Sequence, residues 1–338
     1  MALAATGQDG FDALWAGETT TAIKILSQPN SSDAISSKET CSRYIGLAAA
    51  LVMSDKFAEA APIVQHLCKD QFPNQTQWIA YEMENLGFLF ELKGRFAEAE
   101  SLYRRALEIG KHSYGSCQFK YQLAEFYKLR GKQELAKQFL DEADKDGIDG
   151  QIFGGSIAAA YKEGANFFQK CFRRGLACEK AGEGSTCFLL YGAAVHDAAL
   201  RLPKDANSAH LLTVMANSYQ NEQRYTPAIK TYDKALAILK ALPALPEETM
   251  NETKLGLATA LDFSGNPDKA AEIYFSIPTK PKALARTLKE WAKGYRHIER
   301  ARSSGDSELE RKAQILYDRA AGLTKGSRQK IHATMPPL

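Results

Sequence analysis

The sequence predicts an all-α solenoid of about seven helix–turn–helix units. Three observations point there. A skeleton of small and large apolar residues recurs at fixed spacing along the 338 residues. Between its turns the apolar positions follow the 3.6-residue period of a helix, and no segment sustains the alternation of a strand. Glycines and prolines fall at the expected turns: Gly94, Gly131 and Gly265 within pairs, and Pro29, Pro73, Pro243, Pro246 and Pro278 after second helices.

The clearest unit runs over 85–107, with a small residue at Gly87, a turn at Lys93-Gly94 and small residues again at Ala99 and Ala106. Large side chains stand between them at Leu86, Phe90 and Tyr103. Taking the first small residue as a marker, four more copies begin at Ala48, Ala124, Ala216 and Ala258. In all five a second alanine follows twelve positions later, at Ala60, Ala99, Ala136, Ala228 and Ala270. Four positions beyond it comes a large residue: Val64, Tyr103, Leu140, Tyr232 or Tyr274.

The 92-residue gap between Ala124 and Ala216 leaves room for a degenerate copy over 165–202, with Gly175, Cys178, Cys187, Tyr191 and Ala194 in the matching places. A partial unit opens the chain with Phe11, Leu14, Trp15, Gly17, Ala22 and Leu26. A capping unit closes it, with Leu284, Leu288, Trp291 and Tyr295, then Ala313, Tyr317 and Ala320. Units at the ends of stacked arrays are atypical because one face meets water. The expected division is N-terminal repeats over 1–146, a Gly/Asp-rich linker over 147–155, C-terminal repeats and capping helices over 156–325, and a disordered tail over 326–338.

This skeleton resembles the tetratricopeptide repeat, a helix–turn–helix unit of about 34 residues, although the spacings here are longer. The resemblance implies a right-handed superhelix whose first helices line a concave groove that binds a protein or peptide. Carried over place by place, the front groove would hold Tyr81, Glu84, Phe88, Glu91 and Leu92, then Gln118, Tyr121, Glu125, Lys128 and Leu129. The back groove would hold His210, Thr213, Asn217, Gln220 and Asn221, then Glu252, Leu255, Thr259, Asp262 and Phe263. The peptide-binding set expected from these is Tyr81, Glu84, Phe88, Glu91, Tyr121, Glu125, Lys128, His210, Asn217, Gln220 and Asn221. Its front is aromatic and acidic, and its middle is rich in amides, which donate and accept at once.

Relatives that grip the C-terminal carboxylate of large chaperones use a Lys/Asn/Asn/Lys/Arg clamp. The matching places here are Ile45, Ala49, Asn85, Gln118 and Gln122, which offer no cation for a carboxylate.

Chemistry beyond binding finds little support. The six histidines are scattered among different units, and no phosphate loop, dinucleotide fingerprint or nucleophile elbow occurs. The Asp144, Asp146, Gly147 run resembles a calcium loop, but its twelfth position is Phe153, where a bidentate carboxylate is required. The six cysteines form no C-x-x-C. Cys171, Cys178 and Cys187 are expected to pack as small buried hydrophobes. Neither catalysis, cofactor nor metal is expected.

Residues 279–330 hold fourteen Lys and Arg against six Asp and Glu. The glutamates interleaved there suggest a solvated face, so no nucleic acid is expected as a partner. No apolar run is long enough to span a membrane. Residues 1–10 carry neither the charged nor the apolar region of a leader, and free thiols suit a cytoplasmic location. A chain already relieved of its leader would read the same, which leaves export as the alternative. The functional expectation is a protein- or peptide-binding scaffold. The rivals are an assembly subunit acting through its convex or terminal surfaces, and a helical enzyme with a pocket built from several repeats.

Overall fold

The computed structural model describes residues 7–28, 37–69, 77–111, 116–145, 165–181, 184–201, 204–244, 246–279, 281–302 and 307–324. Among these lie sixteen α-helices in consecutive antiparallel pairs, and no strand. The chain divides into two compact units, residues 1–202 and 203–338. The stretch 147–155, expected to be the linker, and the tail 326–338 lie outside the described residues.

The first unit holds five pairs. They are α1 (Gly7–Trp15) with α2 (Thr19–Leu26), α3 (Ser37–Met53) with α4 (Phe57–Lys69), and α5 (Gln77–Leu92) with α6 (Phe96–Gly110). Then come α7 (Ser116–Lys128) with α8 (Gln133–Asp144), and α9 (Phe167–Lys180) with α10 (Phe188–Arg201). A 3-10 turn, Gly184–Cys187, leads into α10. The second unit holds α11 (Ala206–Asn221) with α12 (Tyr225–Lys240), α13 (Glu247–Phe263) with α14 (Pro267–Ser276), and α15 (Pro281–Arg302) with α16 (Ser307–Thr324).

One crossing recurs. Where the marker is glycine, the two helices approach so closely that a Cβ would strike the large residue sixteen positions on. A Cβ at Gly87 would lie 2.8 Å from Tyr103 Cε1, one at Gly175 2.6 Å from Tyr191 Cε1, and one at Gly10 2.7 Å from Leu26 Cδ2. The opening unit therefore takes Gly10 as its marker, and the degenerate copy takes Gly175. The second alanines, Ala60, Ala99, Ala136, Ala228 and Ala270, are all buried.

One turn also recurs. Seven positions past each of six markers a residue has positive φ: Gly17 (72°), Asp55 (58°), Gly94 (74°), Gly131 (70°), Gln223 (60°) and Gly265 (83°). The next residue's N–H bonds back to a carbonyl five positions earlier: Lys56 to Leu51, Arg95 to Phe90, Lys132 to Tyr127, Arg224 to Tyr219 and Asn266 to Leu261. This is the Schellman closure, which satisfies the free carbonyls of a helix end and needs a left-handed residue. Glycine takes that conformation without the side-chain penalty that Asp55 and Gln223 carry.

The turn yields a test free of packing effects, since Gln223 is exposed. Gln223→Gly should stabilise the protein by about 1 kcal/mol, and Gly94→Ala should destabilise it by about as much. Urea titration of both variants against the parent measures the two shifts, which should have opposite sign.

Candidate functional site

The front groove is not an open surface. The fifth pair turns back on the unit, and α10 packs on α1, α3 and α5. Trp15 meets Phe188 edge-on at 5.3 Å, and His196 Nδ1 lies 3.0 Å from the Gly17 carbonyl. From α9, Arg174 enters the space that the first helices should leave free. Its Nη2 is 2.8 Å from Glu84 Oε1, and its Nη1 donates to Gln122 Oε1 at 2.9 Å. Its guanidinium stands 5.8 Å from the Phe88 ring.

Glu84 and Phe88 are consequently buried to 0% exposure, which corrects their assignment to a solvent-facing groove. Gln118 Nε2 donates to Glu84 Oε2 at 2.7 Å, and Asn85 Nδ2 donates to the Thr186 carbonyl at 3.2 Å. Thus Asn85, Gln118 and Gln122, all at clamp places, serve the protein's own packing.

The other front residues sort by a second recurring contact. Tyr103 donates to Glu91 Oε2, and Tyr191 to Glu179 Oε2, each at 2.6 Å. In both pairs the tyrosine sixteen past the marker clips the polar residue four past it. Glu91 also pairs with Arg130 at 3.2 Å and is buried, so it belongs to the repeat interior rather than to a groove. Tyr81 is buried against Phe119 at 5.3 Å between ring centroids. Tyr121 is buried and donates to Asp144 Oδ1 at 2.7 Å; this bond, with burial, raises its phenol to about 12. Glu125 and Lys128 pair with each other at 3.1 Å, with Lys128 exposed. Lys128 reaches the surface, and Glu125 is half-buried beside it.

The back half is different. In the second unit a cleft of about 490 Å³ opens between α11, α13 and α15. Asn217, Gln220 and Asn221, three of the residues the sequence assigns to the back groove, line it from α11. Glu252, Leu255 and Gly256 come from α13. Glu290, Trp291, Gly294 and Tyr295 come from α15. His210 stands beside the lining, 3.8 Å from Glu252 Oε2.

The amides are oriented by the same clip. Tyr232, sixteen past its marker, donates to Asn217 Oδ1 and lies 3.3 Å from Gln220 Oε1. Burial pushes the Tyr232 phenol well above its ordinary range, so it remains a donor at any working pH. The Asn217 carbonyl is therefore engaged by Tyr232, while the residue lines the cleft. Gln220 also donates to Thr259 Oγ1 at 3.2 Å, so it braces the wall. Asn221 is exposed. The sequence places Trp291 and Tyr295 in the skeleton of the closing unit. Tyr295 does pack, 5.9 Å from Phe263, but Trp291 is 40% exposed.

The cysteines are all free, and Cys171, Cys178 and Cys187 are buried as expected. Cys68 is half-buried between α4 and α6, and burial raises its thiol to about 11. Among the described residues no three His, Cys, Asp or Glu side chains gather as a metal centre would need.

The pairs, crossings and turns define a helical-repeat protein of the kind that presents surfaces to other proteins. Comparison with family models makes the class specific: residues 83–116 and 209–238 each match a tetratricopeptide-repeat model, one in each unit. These two stretches are tetratricopeptide repeats, a unit that generally mediates contact between proteins. No curated protein matches its sequence.

Removing one partner of the buried Arg174–Glu84 pair strands the other without water. Arg174→Met should cost about 3–5 kcal/mol, while the double variant Arg174→Met/Glu84→Leu should recover much of that. Urea unfolding of the two variants tests this, and equal losses would mean the charge pair is not the cause. For Cys68, a pKa near 11 leaves roughly a hundredfold less thiolate at neutral pH than in a free cysteine. Native-state alkylation should therefore be slow, and should accelerate about tenfold per pH unit up to that value.

Proposed function

We propose that the protein is a non-catalytic scaffold that holds an extended segment of a partner protein in the cleft of its second unit. The observation that carries this reading is the clip from Tyr232. It engages the Asn217 carbonyl, so what this cleft-lining side chain has to offer a ligand is its amide N–H₂, beside Asn221, which can donate and accept. An extended backbone presents alternating N–H and C=O groups, and amide side chains match both. Preset orientation reduces the entropy lost on binding. Gln220 supports the wall, and Leu255 and Trp291 supply apolar surface for side chains of the segment.

The first unit fits a supporting role, because its own fifth pair fills the inner face. No helix among the described residues is long and apolar enough to cross a membrane. Five of the six cysteines are buried free thiols, which favours a reducing compartment such as the cytoplasm.

Selection of random peptides displayed against the full chain tests the reading. Enriched peptides should be extended and should compete for one site. Asn217→Ala and Asn221→Ala should each weaken them by about 0.5–1.5 kcal/mol, with Lys128→Ala unchanged as the control in the first unit. Selected peptides that bind both asparagine variants as tightly as the parent would refute the cleft.

A further inference from the structure

We infer that the Trp291 end of this cleft is an arginine subsite, shaped to take the guanidinium of a side chain on the bound segment. The inference rests on the cleft being a peptide groove and adds the chemistry of its preferred ligand. Trp291 shares its helix with the buried Leu284, Leu288 and Ala292, yet its own ring stays 40% exposed and lines the cleft. A large exposed indole in a concave site is a platform for a flat cation. The two charged residues in the lining, Glu252 and Glu290, are both carboxylates, and no Lys or Arg is among the described residues that line the cleft.

Both carboxylates can exchange their present partners. Glu290 meets Lys293 at 2.8 Å with both side chains more than half exposed, and Glu252 meets His210 at 3.8 Å with both about half exposed. Pairs so well solvated hold little net energy. A guanidinium entering over the indole would find a carboxylate at its edge, and its planar fork accepts that geometry, whereas an ammonium is compact and more strongly hydrated. Tyr295 cannot be the platform. The ammonium of Lys312, itself 2% exposed, lies 5.6 Å from its ring centroid, and a second cation there would be repelled.

Nuclear magnetic resonance on the full chain labelled at indole nitrogens reads the subsite directly, with the Trp291 signal assigned by its loss in Trp291→Phe. Nα-acetyl-arginine amide should move that signal saturably. The neutral citrulline analogue should act at least about tenfold more weakly, and Glu252→Gln/Glu290→Gln should abolish the difference. Equal responses to the two amides, or none to arginine, would overturn the inference.

Peptides from the display selection separate the two readings. They should carry arginine at one fixed position, and its replacement by citrulline should cost about tenfold on the parent and little on Trp291→Ala. Glu252→Lys/Glu290→Lys should turn the preference at that position toward Asp or Glu. Peptides that need Asn217 and Asn221 but show no basic preference leave the groove standing and refute the subsite. An arginine-specific shift of Trp291, with no peptide dependent on the asparagines, leaves the subsite standing and refutes the groove.

Discussion

Six helix pairs reverse direction through one residue in left-handed conformation, from Gly17 in the first to Gly265 in the seventh. That residue closes the free carbonyls of the first helix, and it sets the direction in which the second helix leaves. Once the direction is set, the marker of the first helix faces the large residue sixteen positions on. The two can approach only where the marker is glycine or alanine. A tyrosine there lies across the helix and brings its hydroxyl over the polar residue four past the marker. The turn, the close crossing and the clip are therefore one constraint met at three points, and the polar network follows from the backbone geometry.

The two units use this common skeleton in opposite ways. In the first, the clip ties Tyr103 to Glu91, and Arg174 from the fifth pair neutralises Glu84, so the inner face becomes a packed interior. Buried charges of this kind are stable only as a satisfied set. In the second, the clip from Tyr232 ends on neutral amides at the edge of a cleft. The charged pair nearby, Asp262 with Arg319 from α16, lies behind the wall, with Nε to Oδ2 at 3.1 Å. The first unit's inner charges are thus taken up by its own packing, whereas the second unit leaves amides and the carboxylates of Glu252 and Glu290 along its cleft.

The register was legible in the sequence because it depends on local spacing. The markers, the turn glycines, the degenerate copy around Gly175 and the buried thiols stand where spacing put them, and the described residues hold eight pairs where about seven were expected. The back cleft was legible in Asn217, Gln220 and Asn221. The front groove misled because its occupant, Arg174, comes from a helix some ninety residues after Glu84, and no local pattern records such a return. One signal was available: wherever a tyrosine stands sixteen past a marker, the residue four past it is Glu, Gln or Asp, as at Glu91, Glu179, Gln220 and Asp262. Where Leu140 replaces the tyrosine, the residue is Lys128. That covariation marks Glu91 as an internal partner. The exposure of Trp291 was not legible because its helix is amphipathic, and periodicity alone does not say whether an indole of the repeat skeleton is covered.

The closure of the first unit changes how such an array comes into being. A stacked repeat normally needs only its neighbour, so it can form as soon as it leaves the ribosome. Here the inner face of α1, α3 and α5 waits for α9 and α10, and the Gly17–His196 contact joins residues 179 positions apart. Until that stretch is synthesised, Glu84 has no cation and Phe88 no cover. The nascent chain thus carries an incomplete, aggregation-prone face for most of the first unit's synthesis. Completion then couples the unit's first pair to its fifth, adding non-local contacts to an otherwise local stack.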